Sequence, residues 1–293
     1  MWLAFAFLSA TLLGFYDVCK KHALGTNAVI PVLFLNTLFC SMIFVPLLPQ
    51  APFGGWEMQR FIVLKSCIVL SSWALGYCGI KHLPITLVGP INATRPVMVL
   101  LGALIIFGER LNAYQWAGVL LAVASFFMLS RSGKREGIDF RHNRWIYCIV
   151  GAAILGAVSG LYDKYLMASA QNGGAGLAPL TVQCWYNFYQ AAMMGCVLLF
   201  FWWPRRHSQT PFRWKWSIPL ISIFLSAADF VYFYALSMDG SLVSVVSMVR
   251  RGSVLVSFLV GAFVFREKNL RSKAIDLLLV LLGMVFLFIG SSR

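Results

Sequence analysis

Gly14-Phe15-Tyr16-Asp17, set in an apolar run over residues 2–24, returns 146 residues later as Gly160-Leu161-Tyr162-Asp163 in a second run over residues 145–168. Three further matches keep the same order. Pro31 opens the run 28–48 as Pro179 opens 178–203, and Arg95 in 85–107 answers Arg251 in 242–265. Phe107-Gly108-Glu109-Arg110 answers Phe265-Arg266-Glu267-Lys268. The offset drifts from 146 to 158 through loop insertions while the order holds. One such match is within the reach of chance; four in register point to a duplicated unit.

Composition says what the unit is made of. The 293 residues are 60% hydrophobic and 12% charged, with a mean hydropathy of +0.78. A soluble domain carries about 25% charged residues, and a chain this apolar has too little polar surface to stay in water. A helix of ~20 residues crosses the hydrocarbon core, and ten runs of about that length can be read: 2–24, 28–48, 61–80, 85–107, 113–130, 145–168, 178–203, 216–237, 242–265 and 274–290. The expected fold class is therefore an all-α polytopic membrane protein of ten transmembrane helices. A soluble enzyme, a secreted disulfide scaffold and a DNA-binding factor are excluded. The runs divide into a first five-helix repeat (1–130), a basic connecting loop (131–144) and a second five-helix repeat (145–293). Five is odd, so the second copy enters the membrane upside down, and inverted repeats of this kind build secondary transporters around a midplane site.

The net charge of +14 would suggest nucleic acid in a soluble chain; here it fits loops facing anionic headgroups. Sixteen basic residues flank or occupy the loops after runs one, three, five, seven and nine, against five on the other side, where Lys65 is counted as a flanking charge. That bias places both termini outside the cytoplasm. The first basic residue, Lys20, follows the first apolar run, so no cleavable signal peptide is read. Seven cysteines fall in apolar stretches without a Cys-x-x-Cys or Cys/His cluster, so no metal and no cofactor is expected. Trp2, Trp145, Trp202, Trp203, Trp214 and Trp216 sit at run ends and read as an interfacial belt.

The ten-run pattern, the halves of five and the Phe-Gly-Glu-Arg and Phe-Arg-Glu-Lys turns resemble the drug/metabolite transporter superfamily, specifically its EamA-like ten-helix members. The second turn departs from that pattern, with Arg266 in place of Gly. The resemblance implies the fold and a transport function, leaves the substrate open, and implies cytoplasmic termini, against the charge count. The plastidic sugar-phosphate/phosphate translocators, a related family, use a basic residue in helix four and a basic pair in helix nine; Arg95 and Arg250-Arg251 resemble that set.

An ionisable side chain in hydrocarbon costs about 2.5–3.5 kcal/mol on insertion scales and marks a functional site by default. Away from run ends and loops this leaves Arg95, Arg250, Arg251, Asp17, Asp163 and Asp229. Guanidinium forks match carboxylate and phosphate, so arginines from opposite halves would clamp a midplane anion; the competing reading pairs them with the aspartates as structural salt bridges. Asp17, Asp163 and Asp229 are counter-ions to the arginines, carriers of a coupling proton, or, for the first two, partners of Lys20 and Lys164. Polar side chains at helical spacing accompany them: Asn92 with Arg95, Gln183 with Asn187 and Gln190, Asp229 with Tyr232. Tyr16, Tyr77, Tyr162, Tyr186 and Tyr232 lie deep in their runs and are placed to hold a substrate ring or hydroxyl.

The expected function is a secondary active transporter of a small anionic metabolite, an organic phosphate or carboxylate, working by alternating access. No phosphate-binding Gly-x-x-x-x-Gly-Lys run is present, so energy would come from a proton or an exchange substrate. An amino-acid, zwitterion or drug exporter of the same fold is the alternative. A membrane-embedded enzyme would need clustered catalytic groups, and His22, His82, His142 and His207 are scattered singly. The expected partners are the anionic small molecule and the lipid bilayer, with no nucleic acid; the expected setting is a multi-pass position in the cell (inner) membrane, functional as a monomer.

Overall fold

A computed structural model describes residues 2–95, 97–98, 101, 112–135, 142–167, 174–205, 210–237, 249–250, 252–264 and 270–291. Among these residues there are ten α-helical segments and no strand. They are α1 (Trp2–Leu24), α2 (Val29–Phe44), α3 (Trp56–His82), α4 (Ile85–Ala93), α5 (Ala113–Arg135), α6 (Arg144–Met167), α7 (Pro179–Val197), α8 (Ser217–Ser237), α9 (Ser253–Phe263) and α10 (Leu270–Ser291). A 3₁₀ turn (Val45–Gln50) extends α2, and a π-turn (Leu198–Trp202) extends α7. The turns that both halves share at Gly108-Glu109-Arg110 and Arg266-Glu267-Lys268, and the position of Arg251, lie outside the described residues.

Local chemistry sets the ends. Pro179 starts α7, where its missing N–H has no helical partner to lose. Gly55, at φ +88°, turns the chain into α3 through a conformation other residues rarely adopt. Glu57 in the first turn of α3 and Lys81 and His82 in its last turn match the helix dipole. Within the lengthened helices, Val29–Gln50, Trp56–His82, Arg144–Asp163 and Leu180–Arg205 are long and apolar enough to cross a membrane, and four shorter apolar stretches join them among the described residues.

Side chains are sorted as a bilayer requires. Phe7, Leu120, Phe200 and Phe263 point outward, while Ser9, Asn36, Gln183, Asn187, Gln190 and Ser222 are buried. In hydrocarbon the apolar groups have no reason to hide and the polar groups have every reason to find one another. Trp202 departs from the belt reading: the π-turn rotates it inward, and only 9% of it is exposed.

The helices close into a ring in which each packs on the next: α2, α7, α3, α6, α4, α9, α1, α8 and back to α2. α5 and α10 pack on each other and on α4, outside the ring. Exchanging α1–α5 for α6–α10 turns the α1–α8 contact into α6–α3 and the α2–α8 contact into α7–α3. Serine staples bridge the same exchanged contacts, with donor and acceptor helices trading places in the second pair. Ser222 Oγ on α8 donates to Asn36 O on α2 (3.2 Å), as Ser66 Oγ on α3 donates to Tyr186 O on α7 (3.4 Å). Ser9 Oγ donates from α1 to Ala228 O on α8 (2.7 Å), and Ser72 Oγ from α3 to Ala152 O on α6 (2.7 Å).

Glycine permits the closest of these approaches. A Cβ on Gly14 would stand 2.4 Å from Val256 Cβ on α9, a branch point with no freedom to swing away. Gly14→Ala is therefore expected to lower stability by roughly 1–3 kcal/mol, the cost of overpacking a filled core. Thermal unfolding of the purified chain checks this, with Gly14→Ala and Val256→Gly, which removes the opposing Cβ, expected to cost less together than the sum of their separate losses.

Candidate functional site

The ring helices and the segments adjoining them carry the ionisable residues the sequence singled out, Arg251 lying outside the described residues, and burial makes their pairing decisive. Asp17 on α1 pairs with Lys20 (2.6 Å), whose ammonium also lies over the rings of Tyr16 (4.3 Å) and Tyr77 (5.4 Å). Asp163 on α6 pairs with Lys65 on α3, and Lys65 sits 5.2 Å from the Tyr186 ring centre. Asp229 on α8 pairs with Arg250, which stands just before α9 and lies 4.4 Å above the Tyr232 ring. Gln183 Nε2 adds a 3.4 Å contact to the second Asp229 oxygen. Each of these three carboxylates thus has its own cation.

Arg95 has none among the described residues. It follows the end of α4, where Val97 and Met98 both donate to Thr94 O and carry the helical path on. Its Nη2 is shared between Asn92 Oδ1 (3.2 Å) and Ala152 O (3.4 Å), and its buried Nε has no hydrogen-bond partner. The guanidinium lies flat against Gly156 on α6, where a Cβ would come within 2.9 Å of it. Asp17 and Tyr16 are within electrostatic reach, yet Asp17 is held by Lys20. A guanidinium fixed by one amide and one carbonyl keeps most of its five donors for something else.

Elsewhere in the ring, on α2 and α7, lie buried side-chain amides with unused capacity. Asn36 Nδ2, Asn187 Nδ2, and both Gln190 Nε2 and Oε1 are buried without partners. Tyr77 is 1% exposed and packs among α1 and α3 core residues with Tyr16. Tyr162 is engaged elsewhere: its hydroxyl donates to Phe61 O (3.3 Å) at the α3–α6 seam, and its ring stacks on Tyr165.

Two residues that sequence reading missed belong to this inventory. Lys65 had been counted as a flanking charge because the third run was read as starting at residue 61. The helix starts at Trp56, which puts Lys65 well inside it and 6% exposed. The signal was available, since Gln59, Ser66 and Ser72 recur at near-sevenfold spacing and mark a polar face beside it. Asp276 on α10 is fully buried, with neither carboxyl oxygen partnered, although its backbone carbonyl accepts from Ser125 on α5 (2.7 Å). It had been passed over as lying near a run end, and it stands outside the ring.

Residues 1–131 match the EamA-like transporter family, which indicates a multi-pass membrane transporter of the drug/metabolite type. No curated protein matches the chain. Among solved structures, one crystal structure is 16% identical with a TM-score of 0.64, covering 98% of this chain and 96% of that one. At that identity it speaks for the fold alone.

Removing Lys65 would strand a carboxylate in the bundle, the most damaging way to break a buried pair. Lys65→Met is expected to cost about 2 kcal/mol, less than a fully buried pair because Asp163 keeps some access to solvent. Adding Asp163→Asn is expected to recover most of it. Equal losses in the single and double variants, measured by thermal unfolding, would mean the two side chains are not energetically coupled.

Proposed function

We propose that the chain is a secondary active transporter that moves a small organic anion, a phosphate or carboxylate, between two inverted five-helix halves by alternating access. The observation that carries this reading is the charge balance of the ring. Asp17, Asp163 and Asp229 are each matched by Lys20, Lys65 or Arg250, while Arg95 keeps an uncompensated positive charge among the described residues. A buried charge without a counter-ion is costly, and a substrate anion arriving at Arg95 would lower that cost. Bidentate geometry favours carboxylate or phosphate there over a point anion.

Several features support the architecture. The exchange of helix contacts and serine staples between residues 1–130 and 145–293 is what two inverted copies would produce, with 131–144 as the connector. The pairing of Arg250 with Asp229 assigns that arginine to structure or to gating in this state, and leaves Arg95, with Asn92, as the anion grip. In this reading Asn187, Gln190 and Asn36, whose unpartnered amide groups are buried, bind the hydroxyls of the substrate's body. Energy then comes from exchange or from a proton carried on one of the paired aspartates. A ring closed by both halves of one chain is sufficient for a complete site in a monomer. The excess of basic residues in alternate loops assigns those loops to the cytoplasmic face of the cell membrane. The zwitterion alternative is weakened because each aspartate that would meet an ammonium is already held by a protein cation.

Purified chain in proteoliposomes loaded with sugar phosphates, dicarboxylates or amino acids tests the reading by counterflow. Arg95→Gln is expected to reduce anion uptake by 100-fold or more, on the order of a lost charge-assisted hydrogen-bond pair, with Arg95→Lys retaining part of it. Gly156→Ala, which moves the guanidinium without removing it, is expected to raise KM more than it lowers the maximal rate. Anion uptake unchanged in Arg95→Gln would refute the assignment.

A further inference from the structure

Between α2, α3 and α7, at the end that carries the α1–α2, α3–α4 and α7–α8 connections, lies a cavity of about 740 Å³, within the usual span of ~300–1,000 Å³ for small-molecule sites. Its walls are apolar: Val29 and Leu33 on α2, Leu70 and Ala74 on α3, Met194 and Val197 on α7 lie among its lining residues. Polar groups at Ser71, Lys81, Trp202 and Thr210 break the pattern. Lys81 closes the α3 wall and reaches Thr210 Oγ1 at 3.4 Å, and Trp202, turned inward by the π-turn, contributes an indole N–H with no hydrogen-bond partner.

Helical spacing connects this cavity to the polar centre. On α7, Gln183, Asn187, Gln190, Met194 and Val197 recur every three or four residues and share one face. The first of them touches Asp229, and the last two line the cavity. On α2 the face of Val29 and Leu33 continues to Asn36 and Cys40, which contact Ser222 and Ser226 of α8. On α3, Leu70, Ala74 and Lys81 flank Tyr77. Two of the faces that wall the cavity, on α2 and α7, therefore lead to the buried amides, and the third carries the buried Tyr77.

We propose that this cavity is the loading vestibule of the transport path, and that it selects an organic anion with an apolar body, its charge at Lys81 and its hydrocarbon part against the α2–α3–α7 walls. This rests on the reading of the chain as an anion transporter and narrows it. A wholly hydrophilic anion would lose water at these walls and gain nothing from them. An uncharged hydrocarbon would gain nothing from Lys81. Only a ligand with both parts uses both features, and burying each further methylene tightens its binding by up to about fourfold.

The test is a series of straight-chain carboxylates from acetate to octanoate, with octanol as the uncharged control, bound to the whole chain in nanodiscs of neutral lipid. Affinity is expected to rise with chain length in the wild type and to be absent for octanol. Ala74→Phe, which fills the cavity, should abolish the chain-length dependence while acetate still binds at Arg95. Lys81→Gln should weaken the longer carboxylates, held in the cavity, about fivefold, the effect of one lysine charge near a membrane surface, and leave acetate at Arg95 unchanged. Leu33→Trp fills the same space from α2, should Ala74→Phe fail to fold. Acetate and octanoate binding alike would overturn the vestibule and leave the anion reading standing. Octanol binding like octanoate, or octanoate displaced by phosphatidylglycerol doped into the disc, would also overturn it, making the cavity a general apolar or lipid seat. No carboxylate binding at all, with Arg95→Gln indistinguishable from wild type, would remove both readings together.

Discussion

A charge in hydrocarbon has to be answered locally, because no solvent is there to answer it. The ring of eight helices is arranged around that requirement. Its three aspartates come from α1, α6 and α8, and each meets a cation supplied by its own helix, by α3 or by the segment entering α9. Pairing of this kind contributes little net stability, since desolvation cancels most of the Coulomb attraction. The two pairs that cross between elements, Asp163 with Lys65 and Asp229 with Arg250, fix which helix faces which: a slipped register there would leave two unpaired charges instead of none. Against that matched background the guanidinium of Arg95, held by an amide, a carbonyl and the flat surface of Gly156, is the group around which the proposed chemistry turns.

The rest of the packing follows from having lipid outside. With no hydrophobic drive between helices in a bilayer, association depends on close approach and on polar contacts. Gly14 and Gly79 let α1 reach α9 and α3 reach α6, with Val256 and Ile149 filling the space where a Cβ would sit. Serine hydroxyls span the α1–α8, α3–α6, α2–α8 and α3–α7 contacts. Near the basic loops, Lys21 donates to Ile80 O (2.7 Å), Lys215 to His22 O (3.0 Å), and the Arg213 amide to Asn27 Oδ1 (2.6 Å). These bonds tie α1, α3 and the approach to α8 together at one end of the ring, beside the cavity between α2, α3 and α7.

Reading the sequence found the helices and most of the polar residues, and its errors have a common origin. Apolar run length marks where a helix must cross hydrocarbon, but not where it begins: α3 starts at Trp56, five residues before its apolar run, which makes Lys65 an interior residue and not an edge charge. Trp202 looked interfacial because it ends a run, yet one π-turn changes the direction of a side chain by enough to bury it. Asp276 was overlooked for the same reason as Lys65.

Composition, run length and the order of repeated landmarks were enough, by themselves, to determine a helical membrane protein and to single out Arg95, the three aspartates and the α7 amides. Those are one-dimensional properties, fixed by the free energy of moving side chains between water and hydrocarbon. Which cation answers which carboxylate was decided only by the tertiary structure. Asp163 found Lys65, 98 positions away, and Asp229 took Arg250. Ion pairing depends on distances of a few ångströms between helices that the chain itself keeps far apart, and no pattern along one helix records them.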